Sequence, residues 1–324
     1  MKRRVIFAVL TVYFGLNIGS ASAYTALFAF GDSLSDAGNA FIASGGLIPA
    51  APYVGGHFSN GPTWVEDLSV GLGLGPLTPS LAGGTDFAIG GATTADFGAE
   101  VAGFSAYAAA ASLTSATVNG ALFTLDIGAN DILDALSDPS TAAATVTAAA
   151  NTAAAEVETL HSDGARSLLF YEVPQLGLTP AVEADGPAAQ TLADMLAQSF
   201  NATLLSDLAS IETGADPLKV FTLDTYDLLG DVVGDPQKYG FSNVTDECIE
   251  TPACVTASPS VQDTYLFWDE LHPTEAGHML AAQLAYALVA PEPSTWTMML
   301  LGFAGLGFAG WRARRKATWR TCRA

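Results

Sequence analysis

Basic side chains are almost missing from most of this sequence. Between positions 24 and 290 only Arg166, Lys219 and Lys238 stand against 32 aspartates and glutamates, a formal charge of −29. A surface of that sign repels nucleic acid and anionic membrane, and it favours neutral substrates over anionic ones. A saline habitat would leave the same mark. Cysteine is scarce as well, with three residues and no Cys/His cluster at metal-ligand spacing, which leaves out a zinc module. Cys322 lies at the far end, whereas Cys248 and Cys254 enclose only Ile-Glu-Thr-Pro-Ala and are expected to pair in an oxidising compartment. So short a loop contributes about 2 kcal/mol by the chain-entropy argument, so the bond would pin a surface loop rather than hold the fold. Histidine is limited to four residues, which shortens the list of general bases. No internal repeat or long linker divides 24–290, which reads as one domain.

The two ends differ from this middle. Residues 1–23 carry Lys2, Arg3 and Arg4, an apolar stretch over 5–16, and the small residues Ser20-Ala21-Ser22-Ala23. That order reads as a signal peptide cut before Tyr24, so the chain is expected to be exported. At the other end Pro291-Glu292-Pro293-Ser294 precedes an apolar run over 295–311 and the basic cluster Arg312, Arg314, Arg315 and Lys316. About 20 apolar residues span a bilayer and positive charge stays inside, so this run sits at the short edge of a membrane span. The stretch "PEPSTWTMMLLGFAGLGFAGWRARRK" resembles the PEP-CTERM sorting signal of Gram-negative bacteria. The resemblance implies that a tail over 291–324 holds the exported protein in the inner membrane until an exosortase-type enzyme cuts near Pro-Glu-Pro. Contact with the membrane would then be transient, and the mature protein would lie at the cell surface or outside.

Within 24–290, apolar runs over 26–30, 121–127, 167–171 and 220–223 suit buried parallel strands. Helical patterns over 141–160, 188–211 and 275–288 alternate with them, which predicts an α/β doubly wound sheet. Sites in such sheets form at the carboxyl ends of the strands. That rule brings Gly31-Asp32-Ser33, Gly128-Ala129-Asn130-Asp131 and the turn after Tyr171 to one rim. The stretches 41–60 and 225–263 read as loop-rich walls of a cleft.

A serine displayed after a strand needs a base, and the base needs an orienting group. His161 sits beside Ser162 and Asp163 at a polar helix end, His57 lies in a Gly-rich loop, and His278 falls inside the last helix. His272 in "WDELHPTEAGH" has Asp269 three residues upstream and a proline-led helix start behind it. Taken alone, Ser33 is an ordinary turn residue and Asp-x-x-His an ordinary surface pair. Gly90-Gly91 in "DFAIGGATT" and Asn130 in "LDIGAND" offer N–H donors for an oxyanion, and each also reads as a packing or turn element.

Taken together, "FGDSLSDAGN", "HFSNGPTWVEDL", "DFAIGGATT", "LDIGAND" and "WDELHPTEAGH" resemble, in order, the successive blocks of the GDSL esterases/lipases, the SGNH hydrolases. The resemblance implies a flavodoxin-like three-layer α/β/α sandwich with a mainly parallel sheet and neither metal nor cofactor. It implies Ser33 as nucleophile, His272 as base, Asp269 as its orienter, and Ser33, Gly91 and Asn130 as oxyanion donors. It also implies hydrolysis of a neutral ester, with a lipid or an acetylated glycan as substrate. A polysaccharide O-deacetylase with the same triad is the near alternative, and a non-catalytic adhesive protein of the extracellular matrix the distant one. His57 stands where the family often has a basic residue before "FSNGP", and Ala129 replaces a frequent glycine.

Overall fold

Four strands, β1 (Leu27–Gly31), β2 (Leu122–Asp126), β3 (Ser167–Tyr171) and β4 (Lys219–Leu223), lie side by side in that order and all parallel. The computed structural model describes residues 24–290 together with 302, 303 and 306–308. Every residue of β1 and β2 is buried, as a parallel sheet covered on both faces requires. Side chains alternate between the faces. Phe28, Phe30, Phe123 and Phe170 enter one core, while Leu27, Ala29, Leu122 and Leu169 enter the other.

Seven helices matter for the site: α1 (Trp64–Gly71), α2 (Thr94–Ala110), α3 (Ala129–Ala135), α4 (Ala142–Ser162), α5 (Pro187–Glu212), α6 (Thr225–Gly234) and α7 (Glu275–Val289). The phenylalanine face is covered by α2, α4 and α5 through Phe97 and Phe104, Val146 and Val157, and Phe200 and Leu204. The opposite face is covered by α1 and α7 through Trp64, Leu68, Ala281 and Ala285. This is the three-layer α/β/α sandwich that the resemblance implied.

The sheet continues past β1 on its free side. Ala29 N–H donates to Thr85 O at 3.1 Å, Phe87 N–H to Ala29 O at 2.7 Å, and Ile89 N–H to Gly31 O at 2.9 Å. The extended stretch 85–89 therefore runs as an edge strand, and Phe87, Phe30 and Phe123 stack across three neighbours at 5.4 and 6.1 Å. The chain leaves β1 for one side and returns to pair on the other, so β1 is the switch point of the sheet. Its carboxyl end is where an open α/β sheet places a ligand crevice.

Strand limits move by one residue from the sequence pattern, and helix limits by up to two. A larger departure falls in 225–263, where the pattern suggests loop. It contains α6 and β5 (Asn243–Glu247), which pairs in parallel with β6 (Tyr265–Phe267). Asp224 caps α6 by accepting the Asp227 N–H at 2.9 Å, and Leu228, Leu229 and Val232 make its apolar side. Asp227, Gly230, Asp231 and Gly234 within α6 mask the helical period. Cys248 and Cys254 form a disulfide that packs with Trp268 in a small core. The signal-type segment 1–23 lies outside the described residues, as does most of the apolar run 295–311. Among the described residues no helix is long and apolar enough to cross a membrane.

Candidate active site

The crevice is built around a backbone that only glycine can supply. Gly31 ends β1 with φ at +137°, and a Cβ there would lie 1.9 Å from the Asp126 carbonyl oxygen. The close approach lets Asp32 N–H bond to Asp126 O at 3.0 Å, so the chain turns out of the sheet at once and leaves Ser33 at the rim. Asp32 stabilises that turn, because its Oδ1 accepts the Leu34 N–H at 3.1 Å and its main-chain oxygen accepts Ser35 and Asp36 N–H. Two further residues of this block hold the edge strand. Asp36 accepts the Gly90 N–H at 2.8 Å, and the Asn39 amide donates to Asp86 O at 2.8 Å and Ala88 O at 2.9 Å.

His272 comes from the opposite end of the domain. Trp268 N–H donates to His272 O at 2.8 Å, closing the stretch between them into a turn that sets Asp269 and His272 face to face. His272 Nδ1 lies 2.8 Å from Asp269 Oδ2, and its Nε2 lies 2.6 Å from Ser33 Oγ. The His and Asp donors and acceptors therefore run in one line to the serine. Burial pushes the Asp269 carboxyl up, but His272, the Tyr53 hydroxyl and the His272 backbone N–H together outweigh it and hold the group below the usual carboxylate range. His278, inside α7, is pushed down to about 3 by burial and stays neutral. His161 reaches Asp216 O and His57 pairs with Glu66 at 3.0 Å, so neither joins the serine.

Asn130 opens α3 just after Gly128, whose φ of +112° lets the chain turn past Phe200. Its amide donates to Ala92 O at 2.9 Å, and Asp32 Oδ2 lies 3.4 Å away. Next to it Asp131 accepts the Thr94 N–H at 2.9 Å and the Thr94 hydroxyl at 2.7 Å. The start of α3 thus grips the turn that carries Gly91. Gly91 has a positive φ, and its N–H makes no hydrogen bond among the described residues. Ser33, Asn130 and His272 share one cavity, whereas Gly91 is not in the cavity wall.

That cavity has a volume of about 80 Å³. Leu176 follows β3, Leu228 and Leu229 lie on α6, Leu266 on β6, and Leu271 and Leu280 flank His272 and α7. Asp32 is the acid in its wall, and burial, partly offset by the Leu34 N–H and by His272, raises its carboxyl to about 6. Asp126, whose carbonyl receives the Asp32 N–H, is likewise raised well above its ordinary range by burial. Sequence reasoning did not reach the roles of Asp131 or Tyr53. The former sits inside a block already read for Asn130, and the latter stands in a loop without a pattern of its own.

A family profile described as GDSL-like lipase/acylhydrolase matches residues 27–285, and one described as the PEP-CTERM protein-sorting motif matches 289–316. An uncharacterised protein of Pseudomonas putida, encoded in the trpE-trpG intergenic region, is 29% identical over 317 residues, covering 86% of this chain and 50% of its own. A GDSL esterase/lipase of Arabidopsis thaliana is 27% identical over 319 residues, covering 84% of this chain and 88% of its own. The chain spans half or less of the length of several curated relatives it matches. Among solved structures, a catalytic mutant of the acetylxylan esterase Axe2 from Geobacillus stearothermophilus covers 82% of this chain and 94% of its own, with 16% identity and a TM-score of 0.45.

Proposed function

The chain belongs to the GDSL-like lipase/acylhydrolase family, and on that premise we propose that it is an exported serine esterase acting on neutral carboxylic esters through an acyl-enzyme at Ser33. The observation that carries the reading is the line Ser33 Oγ, His272 Nε2, His272 Nδ1, Asp269 Oδ2, with contacts of 2.6 and 2.8 Å, at the mouth of an apolar cavity. His272 takes the serine proton as Oγ attacks the ester carbonyl, and Asp269 keeps the Nδ1–H tautomer facing it. The Ser33 and Gly91 N–H groups and the Asn130 amide receive the charge that develops on the carbonyl oxygen. Collapse releases the alcohol, which takes the proton from His272. Water then enters and gives a proton to His272 as it attacks the acyl carbon; the second collapse breaks the bond to Ser33 Oγ, which takes that proton back as the acid leaves.

The leucine-lined cavity supports an acyl group larger than acetyl. Its volume of about 80 Å³ is roughly half that of an engineered cavity known to admit benzene, which suits a chain of a few carbons. Each added methylene buried there is worth about 0.8 kcal/mol, or roughly fourfold in kcat/KM. Residues 24–290, assayed on p-nitrophenyl esters of graded length, should therefore gain roughly fifteenfold from acetate to butanoate and lose rate again with long chains. A clear preference for an acetylated polysaccharide run beside them would favour the O-deacetylase reading. Hydrolysis of no ester would favour the adhesive one.

Sorting belongs to the same proposal. Residues 1–23 would direct export, 24–290 form the hydrolase domain, and 291–324 anchor it until an exosortase-type enzyme cuts near Pro291–Pro293. The PEP-CTERM match over 289–316 supports this. Mass spectrometry of the released protein should find its C-terminus close to that point, and an intact Ala324 in the medium would overturn the reading.

A further inference from the structure

We propose that Tyr53 is a positioning residue for the Asp269–His272 pair, an inference that rests on the assignment of that pair given above. The Tyr53 hydroxyl donates to Asp269 Oδ2 at 2.6 Å across 216 positions of sequence. The carboxylate is otherwise held from one side only. Its Oδ1 accepts the Leu271 N–H at 2.8 Å and the His272 N–H at 2.7 Å and lies 2.9 Å from the imidazole Nδ1, all within its own turn. Its Oδ2 faces the imidazole Nδ1 at 2.8 Å and, beyond Tyr53, has no other donor. Tyr53 is thus the one bond to this carboxylate, among the described residues, that comes from outside its turn.

The tyrosine is itself braced. Its ring packs edge-on against Phe58 at 6.3 Å and Trp268 at 6.4 Å, and Phe58 lies 5.3 Å from the His272 ring. Burial and then the neighbouring carboxylate push its phenol well above the ordinary range, so it stays a donor wherever the enzyme works. A hydrogen bond to a buried charge fixes direction as well as energy. With it, Asp269 points Oδ2 at Nδ1 and His272 points Nε2 at Ser33. Without it, the carboxylate can rotate about its side-chain bonds, and the imidazole loses the support that keeps Nε2 in line.

Tyr53→Phe keeps the ring and removes the hydroxyl. It should lower kcat by about tenfold, the low end for a hydrogen bond to a charged group, with KM unchanged. In an Asp269→Asn background the same substitution should cost less than twofold, because the carboxylate it steadies is gone. A merely structural tyrosine would instead cost the same in both backgrounds and lower the melting temperature. A kcat for Tyr53→Phe within twofold of the parent, or equal costs in the two backgrounds, overturns the proposal. Ser33→Ala in the same assay separates the two ideas. If it stays active, the underlying assignment is wrong whatever Tyr53 does.

Discussion

Replacing Ser33 by alanine is expected to lower kcat/KM by roughly 10⁴-fold or more, since members of such a triad act as a unit and little remains when one is removed. The neighbouring hydroxyl cannot stand in for it. Ser35 is fully buried, its hydroxyl donates to Asp126 Oδ2 at 3.1 Å, and it accepts the Trp64 indole N–H at 3.1 Å. It faces the core, while Ser33 faces the cavity and His272. A fluorophosphonate probe should therefore label Ser33 alone, as peptide mapping would report. Label on Ser35, or an active Ser33→Ala protein, would refute the assignment of the nucleophile.

Asn130→Ala carries the second largest expected effect. The amide nitrogen donates to the Ala92 carbonyl at 2.9 Å and to Asp32 Oδ2 at the longer distance of 3.4 Å, so two contacts fix the plane of the amide before substrate takes the weaker one's place. A donor fixed before the reaction begins costs nothing to reorganise when charge develops. Losing one such donor typically lowers kcat by roughly 10²–10³ and leaves KM little changed. Fold is not at stake to the same degree, because the adjoining Asp131 still holds Thr94 through two bonds of 2.9 and 2.7 Å. Steady-state kinetics would check it. A variant that raised KM with kcat intact would move Asn130 from charge stabilisation to substrate binding.

These residues were legible in the sequence because each stands in a short block whose neighbours serve it locally. Asp32 and Gly31 make the turn for Ser33, and Asp269 reaches His272 across three residues. The layers were legible for a similar reason, since buried strands with apolar residues on both faces announce a covered parallel sheet. What escaped depends on distance. The edge strand over 85–89 makes only isolated bridges to its neighbours, contains Asp86 and is flanked by Gly84 and Gly90, so no strand pattern marks it. The carboxylates of Asp36 and Asp86 and the amide of Asn39 supply what its short pattern lacks. Tyr53 belongs with it, in a loop where only the folded chain shows what its hydroxyl meets.

The order in which the chain supplies its parts sets when chemistry can begin. Serine and base stand 239 positions apart, with β1 near the first residues of the domain and His272 just before its last helix. The middle of the sheet can pair once β2 has emerged, for β1 needs only the stretch 85–89 and β2 as partners. The imidazole arrives only when β6 and α7 have docked, the slowest kind of closure because its loop is the longest. Through synthesis Ser33 is therefore present without His272. On the proposed assignment a half-made chain carries a serine with no means of activating it, and hydrolysis is withheld until almost the whole domain has folded.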